Sequence, residues 1–123
     1  MSKPSRAGII GLGAGRLHAK SYVAAEGAEL VALCDVDEER LQEIGEMFPA
    51  SALFTDYAEM FSRADLDVVS VCVPNALHRE VAIAALEAGL NVLCEKPLAS
   101  DLAGAQAIAE AAGRARGKLM VCY

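Results

Sequence analysis

A doubly wound α/β fold, with one parallel sheet of about six strands and helices on both faces, is predicted by three observations. Short apolar runs alternate with amphipathic stretches along the whole chain. The intervening segments run to a dozen residues or more, the length that a parallel crossover needs and a hairpin does not. The clearest run, DVVSVCV at residues 67–73, is apolar on both faces, as a strand covered from both sides must be.

Residues 6–10 form the first strand and open into Gly11-Leu12-Gly13-Ala14-Gly15, followed by a helix-compatible stretch to Glu26. Residues 29–34 are the second strand, with Asp35 directly after it. Over residues 37–48, Leu41, Ile44 and Phe48 recur at helical spacing among Glu38, Glu39, Arg40, Glu43 and Glu46, and Pro49 stops the helix. Residues 52–55 are a brief strand, and Asp56-Tyr57-Ala58-Glu59 has a capping-box pattern that opens a short helix. The fourth strand, residues 67–73, ends at Pro74, and Asn75 is expected to cap the next helix. There Leu77, Val81, Ala84 and Ala88 share a stripe, and Gly89 stands where a left-handed cap is needed. Residues 91–94 are a fifth strand, Ser100 or Asp101 starts an alanine-rich helix to about Arg116, and residues 118–123 are the sixth strand. Only the first five residues read as linker, so residues 1–123 are expected to be a single domain.

Composition narrows the function. The chain has 123 residues, 54% of them hydrophobic and 23% charged, which is enough apolar material for a real core and far from disorder. Net charge −6 disfavours a nucleic-acid backbone or an anionic membrane as partner. No apolar stretch approaches the roughly 20 residues of a membrane span. Lys3 and Arg6 ahead of residues 7–15 imitate a signal peptide, but glycines interrupt the apolar part and Arg16, His18 and Lys20 follow, so export is rejected. Cys34, Cys72, Cys94 and Cys122 lack CxxC or Cys/His spacing and read as free, buried thiols of a reducing cytoplasm. His18 and His78 have no carboxylate or cysteine at a ligand spacing, and no metal site is expected.

The glycine turn carries the chemistry. Placed between a first strand and a helix, its backbone amides face an anion, and the absence of side chains admits a pyrophosphate. Asp35, about twenty residues on at the end of the second strand, is positioned to accept both hydroxyls of an adenosine ribose. The glycines stand at 11, 13 and 15, and Arg16 occupies the place where G-x-G-x-x-G would put the third. S-adenosylmethionine-dependent methyltransferases also use a G-x-G-x-G turn, usually with an acid two residues before the first glycine. Here that position is Ile9.

Taken together, GIIGLGAGRLHA (8–19), CDVDEER (34–40) and DVVSVCVPNALHREVAIAALEAGLNVLCEKPLA (67–99) resemble the glucose-fructose oxidoreductase, inositol dehydrogenase and rhizopine-catabolism group, Gfo/Idh/MocA. The most specific pieces are Glu95-Lys96-Pro97, Pro74-Asn75-x-x-His78 with its alanine-rich helix, and Gly15-x-x-His18, the glycine turn being one residue shorter than in many members. The resemblance implies a Rossmann domain that binds NAD in preference to NADP. Its implied cofactor-binding set is Gly11, Leu12, Gly13, Ala14, Gly15, Arg16, Leu17, Asp35, Val73, Pro74, Asn75, His78, Glu95, Lys96 and Pro97. Lys96 is the implied catalytic residue, an ammonium beside the alkoxide that develops during hydride transfer. His18 is expected to brace the first helix, Arg40 to be a solvated helix residue, and Glu59, Glu80 and Glu87 to be helix surface. The implied parent is a homo-oligomeric oxidoreductase acting on a sugar, polyol or related hydroxyl compound, with a C-terminal substrate domain beyond residue 123. A non-catalytic NAD-sensing module is the alternative, in which a Glu-Lys-Pro at the nicotinamide rim would have no purpose.

Overall fold

The computed structural model describes residues 3–49 and 51–122. Six strands alternate with helices: β1 Ser5–Ile10, α1 Gly15–Ala24, β2 Ala28–Cys34, α2 Glu38–Met47, β3 Ala52–Phe54, α3 Tyr57–Arg63, β4 Val68–Val71, α4 His78–Glu87, β5 Asn91–Glu95, α5 Leu102–Arg114 and β6 Leu119–Cys122. A 3-10 turn, Asn75–Leu77, precedes α4. All strands pair in parallel in the order β3-β2-β1-β4-β5-β6, which is the expected Rossmann fold. The order reverses between β1 and β4, so the loops leaving those strands diverge and open a crevice at the carboxyl ends.

Alternation along the strands sends side chains into two cores. On one face Ile9, Leu33 and Cys72 pack with Leu12, Ala19, Leu41 and Ile44 beneath α1 and α2. On the other, Val69, Val71, Val92 and Cys94 meet Met60, Val81, Ala85, Leu86 and Ile108 of α3, α4 and α5. No described helix is long and apolar enough to cross a membrane.

The structure corrects several local expectations. β4 ends at Val71 rather than residue 73. The Cys72 amide still donates to Ile10 O at 2.8 Å, after which the chain turns toward Pro74. Asn75 does not cap a helix with its side chain; it begins the 3-10 turn, whose flanking position is Pro74. The buried stripe of α4 is His78, Val81, Ala82, Ala85 and Leu86, shifted from the expected one, and Leu77 is 44% exposed. A polar histidine therefore occupies a core position that an apolar count passes over. The capping box at α3 is half formed: Asp56 accepts from the Ala58 amide at 2.9 Å, but Glu59 pairs with Arg63 at 2.8 Å instead of reaching back. The helix read to about Arg116 stops at Arg114. Gly89 does adopt φ +84°, and the Leu90 amide donates to Ala85 O, closing α4 in a Schellman motif. Tyr123, at the end of the expected sixth strand, lies outside the described residues.

Cys34, Cys72 and Cys94 are buried free thiols, and Cys122 is half-buried. Burial, reinforced by the Asp35 carboxylate, pushes the Cys34 thiol up to about 12. Burial does the same to Cys94, to about 11, and also raises Cys72. Unfolded thiols ionise near 9.0 while the folded ones stay protonated, so above that pH the unfolded state binds fewer protons and stability falls as pH rises. The melting temperature is expected to decline from about pH 9 to about pH 11, and less steeply in Cys34→Ala. Thermal scans across that range check it; a flat profile contradicts the burial of these thiols.

Candidate cofactor site

The three glycines of the β1–α1 turn meet three different demands. Gly11 has φ +91°, and a Cβ there would lie 2.6 Å from Cys72 O and 2.8 Å from the Val73 nitrogen, so only glycine lets the turn pass against the end of β4. Gly15 opens α1, where a Cβ would lie 2.6 Å from Cγ2 of Ile9; this closeness lets the helix lie on the sheet. At Gly13 a Cβ would meet only Arg40 Nη1, at 3.7 Å, and the residue is exposed. Open space directly before a helix N-terminus, where the first amides have no intrahelical partner, is what an approaching pyrophosphate requires. The residues present thus fit a dinucleotide despite the altered spacing of the glycines.

Leu12 departs from its expected part. Its side chain is fully buried, and its amide donates to Asp35 Oδ2 at 2.9 Å. The Leu12 amide is thereby committed inside the protein rather than to the turn's outer surface. Ala14, which flanks α1, and Arg16 and Leu17 on its first turn are exposed.

Asp35, 6% exposed, follows β2 and is fixed by that Leu12 bond, by the Asp37 amide at 2.9 Å and by Arg40 Nη1 at 3.4 Å. A carboxylate has about four lone-pair sites, of which three are taken, so one remains for a ribose hydroxyl and release of the long Arg40 contact at 3.4 Å would open a second. Arg40 is therefore not a free surface residue: its guanidinium lies against both Asp35 and, at 3.8 Å, Asp37.

These groups border a groove of about 480 Å³ along the carboxyl ends of β1, β2 and β4. Gly11, Gly13, Asp35, Val73 and Pro74 line it as expected. So do Val36, Thr55, Tyr57, Leu77 and Glu80, none of which the sequence nominated. Thr55 and Tyr57 stand just past the end of β3, so the strand-end rule that selected Asp35 would have found them. Glu80 is exposed on α4 as expected, and its carboxylate, after burial, contributes to raising the Tyr57 phenol. Val36 is 87% exposed at the mouth, an apolar surface suited to a flat base.

Toward β5 lie the remaining predicted residues. Asn75 and Pro74 are exposed, as are Lys96 and Pro97. His78 is buried, its Nδ1 2.7 Å from Pro97 O and its Nε2 2.9 Å from Val73 O, so it shapes the rim through the main chain and has no free ring edge to offer a ligand. Glu95 turns its carboxylate to the opposite face, where His18 Nε2 donates to it at 2.6 Å. His18 thus does more than brace α1. With Cys122 it joins Glu95 in a cluster whose candidate ligand atoms lie within 4.8 Å of one another, a juxtaposition that local spacing does not reveal.

Comparison with known proteins agrees with this geometry. Residues 5–123 match the family described as Gfo/Idh/MocA, "Oxidoreductase family, NAD-binding Rossmann fold". The chain is 39% identical to D-apiose dehydrogenase of Paraburkholderia graminis over 97% of its own length and 32% of that protein's. It is 39% identical to D-glucoside 3-dehydrogenase of Escherichia coli, covering 97% of this chain and 34% of the relative. Among solved structures, myo-inositol 2-dehydrogenase from Lactobacillus plantarum superposes with TM-score 0.87 at 33% identity, covering 96% of this chain and 36% of that one. The WlbA dehydrogenase from Bordetella pertussis, in complex with NADH and UDP-GlcNAcA, gives TM-score 0.90 at 28% identity over 98% of this chain and 37% of that one. The chain thus spans about a third of the length of the relatives it matches.

Proposed function

The chain belongs to the Gfo/Idh/MocA oxidoreductase family, and from that premise we propose that it is the cofactor half of a dehydrogenase that moves hydride between NAD and a hydroxyl-bearing carbon of a sugar or polyol. The observation that carries this reading is convergence. The open turn at Gly13, the fixed carboxylate of Asp35 and the Glu95-Lys96-Pro97 segment all leave the carboxyl ends of strands along one rim that includes the β1/β4 switch point.

Each residue has a distinct task. Amides of residues 13–16 hold the pyrophosphate, Asp35 accepts the adenosine ribose hydroxyls, and Val73 to Asn75 border the nicotinamide end. The nicotinamide supplies the hydride acceptor. Lys96, exposed and beside that end, stabilises negative charge on the substrate oxygen as its proton passes to a base on the opposite wall of the site. One wall of such a site is insufficient for turnover, because rate depends on holding the substrate carbon in place as well. Residues 1–123 are therefore expected to bind NAD without oxidising polyols, the remaining wall coming from chain beyond them. The relatives named for apiose, glucoside and inositol support a sugar or polyol substrate.

Cofactor choice tests the placement of Asp35. Its charge opposes a 2′-phosphate, and Arg40 is already engaged by two carboxylates, so NAD(H) should bind more tightly than NADP(H). Asp35→Asn keeps an acceptor for the Leu12 amide while releasing Arg40, and is expected to shift the NAD:NADP affinity ratio toward NADP by on the order of tenfold or more. Titration of both cofactors into both proteins measures it. An unchanged ratio would remove the ribose from Asp35.

A further inference from the structure

Between α1 and the Lys96 turn runs a chain of side chains that the cofactor reading does not use. The sheet order puts β4 between β1 and β5, so the glycine turn and the end of β5 share no backbone pairing. His18, one turn into α1, spans the gap. Its Nδ1 meets Ser70 Oγ at 2.8 Å above β4, and its Nε2 meets Glu95 Oε1 at 2.6 Å at the end of β5. Tyr22 OH lies 2.8 Å from the same Ser70 Oγ, and Ser70 is fully buried.

With His18 as a neutral imidazole the chain has one direction. A carboxylate accepts, so Nε2–H donates to Glu95 and Nδ1 accepts from the Ser70 hydroxyl, which in turn accepts from Tyr22. Every donor is used and the bonds point one way, the arrangement in which hydrogen bonds reinforce one another. On the opposite face of the sheet, buried His78 sits between Val73 O and Pro97 O. Both partners of His78 are carbonyl oxygens, so a neutral ring donates to one of them, Pro97 O at the shorter 2.7 Å, and rests against the other; Glu95 is thus held by its side chain from one face and Pro97 by its carbonyl from the other, with exposed Lys96 between them.

We propose that His18 and His78 are positioning residues that clamp the Glu95-Lys96-Pro97 turn from the two faces of the sheet, so that the nicotinamide end of the site is ordered before the dinucleotide arrives. This rests on the dinucleotide reading above. A metal shared by His18, Glu95 and Cys122 competes with it, but the 2.6 Å His18–Glu95 contact is a hydrogen-bond length, shorter than the roughly 3.3 Å that separates two ligands of one zinc ion at tetrahedral angles. A clamped turn spares the ligand the entropy of ordering it, and that saving falls on the nicotinamide half alone.

NADH and ADP-ribose, which lacks the nicotinamide, separate the two halves. The wild-type chain should bind NADH on the order of tenfold more tightly than ADP-ribose. His18→Leu and His78→Leu should bring that ratio close to one while leaving ADP-ribose affinity within about twofold of wild type, which also reports an intact fold. His18→Gln, whose amide can accept from Ser70 and donate to Glu95, should restore the ratio. The proposal is overturned by an unchanged ratio in His18→Leu, by parallel loss of both affinities there, or by equal affinities in the wild type. It is also overturned if one equivalent of zinc binds the wild type and not His18→Gln. Failure of ADP-ribose to bind the wild type would instead sink the dinucleotide reading, and the clamp with it.

Discussion

Gly13→Val is expected to abolish NADH binding while leaving the fold intact. The position is exposed, its backbone is not left-handed, and a new Cβ meets nothing closer than Arg40 Nη1 at 3.7 Å. Stability should therefore move by no more than about 0.5 kcal/mol. The added isopropyl group, however, occupies the space that a pyrophosphate must enter to reach the amides beyond it. Loss of those charge-assisted bonds corresponds to a fall in affinity of about 100-fold or more. Gly11 supplies the contrast. A side chain there collides with the main chain at Cys72 and Val73 and also demands a left-handed backbone, so Gly11→Val should unfold the domain rather than merely block it. Melting curves and NADH titrations on the two variants distinguish them. Normal NADH affinity in a folded Gly13→Val protein would move the site elsewhere.

Lys96→Ala should have its large effect on rate rather than on binding. Measured in a full-length enzyme that carries this domain, kcat is expected to fall by about 100-fold or more, the usual consequence of removing one group that stabilises developing oxyanion charge. NAD affinity should change by less than about threefold, because the ammonium acts on charge that appears only during the reaction. Steady-state NADH formation and a separate cofactor titration provide the two numbers. Equal losses in both would make Lys96 a binding residue, and full activity would return it to the surface role that its exposure also permits.

Most of this architecture was legible because strands buried on both faces leave a continuous apolar signature. The strand at Val68–Val71 is plain for that reason, though not its end, and the turn at 11–15 is plain from its glycines. What escaped the sequence was tertiary. Nothing local ties His18 to Glu95, 77 positions away, or tells that the Leu12 amide is taken by Asp35. Asn75 has the composition of a helix cap, yet the chain leaving β4 enters a 3-10 turn first, and this displaces the buried face of α4 onto His78. Periodicity puts Arg40 on the outer side of α2, where a solvated side chain is expected. Its guanidinium instead folds back to two carboxylates at the end of β2. His18 and the Leu12 amide are directed by partners 77 and 23 positions away, and Arg40 by carboxylates that are near in sequence but off the face periodicity assigns it, which neither propensity nor periodicity records.

The central claim is that the rim over the β1/β4 switch point takes a nicotinamide dinucleotide. The most direct test is the melting temperature of the wild-type chain with saturating NADH and, separately, with S-adenosylmethionine, since a ligand stabilises only a fold that binds it. A rise with NADH, absent with S-adenosylmethionine and absent in Gly13→Val, is the predicted result. A rise with S-adenosylmethionine alone, or no response to NADH, would contradict it.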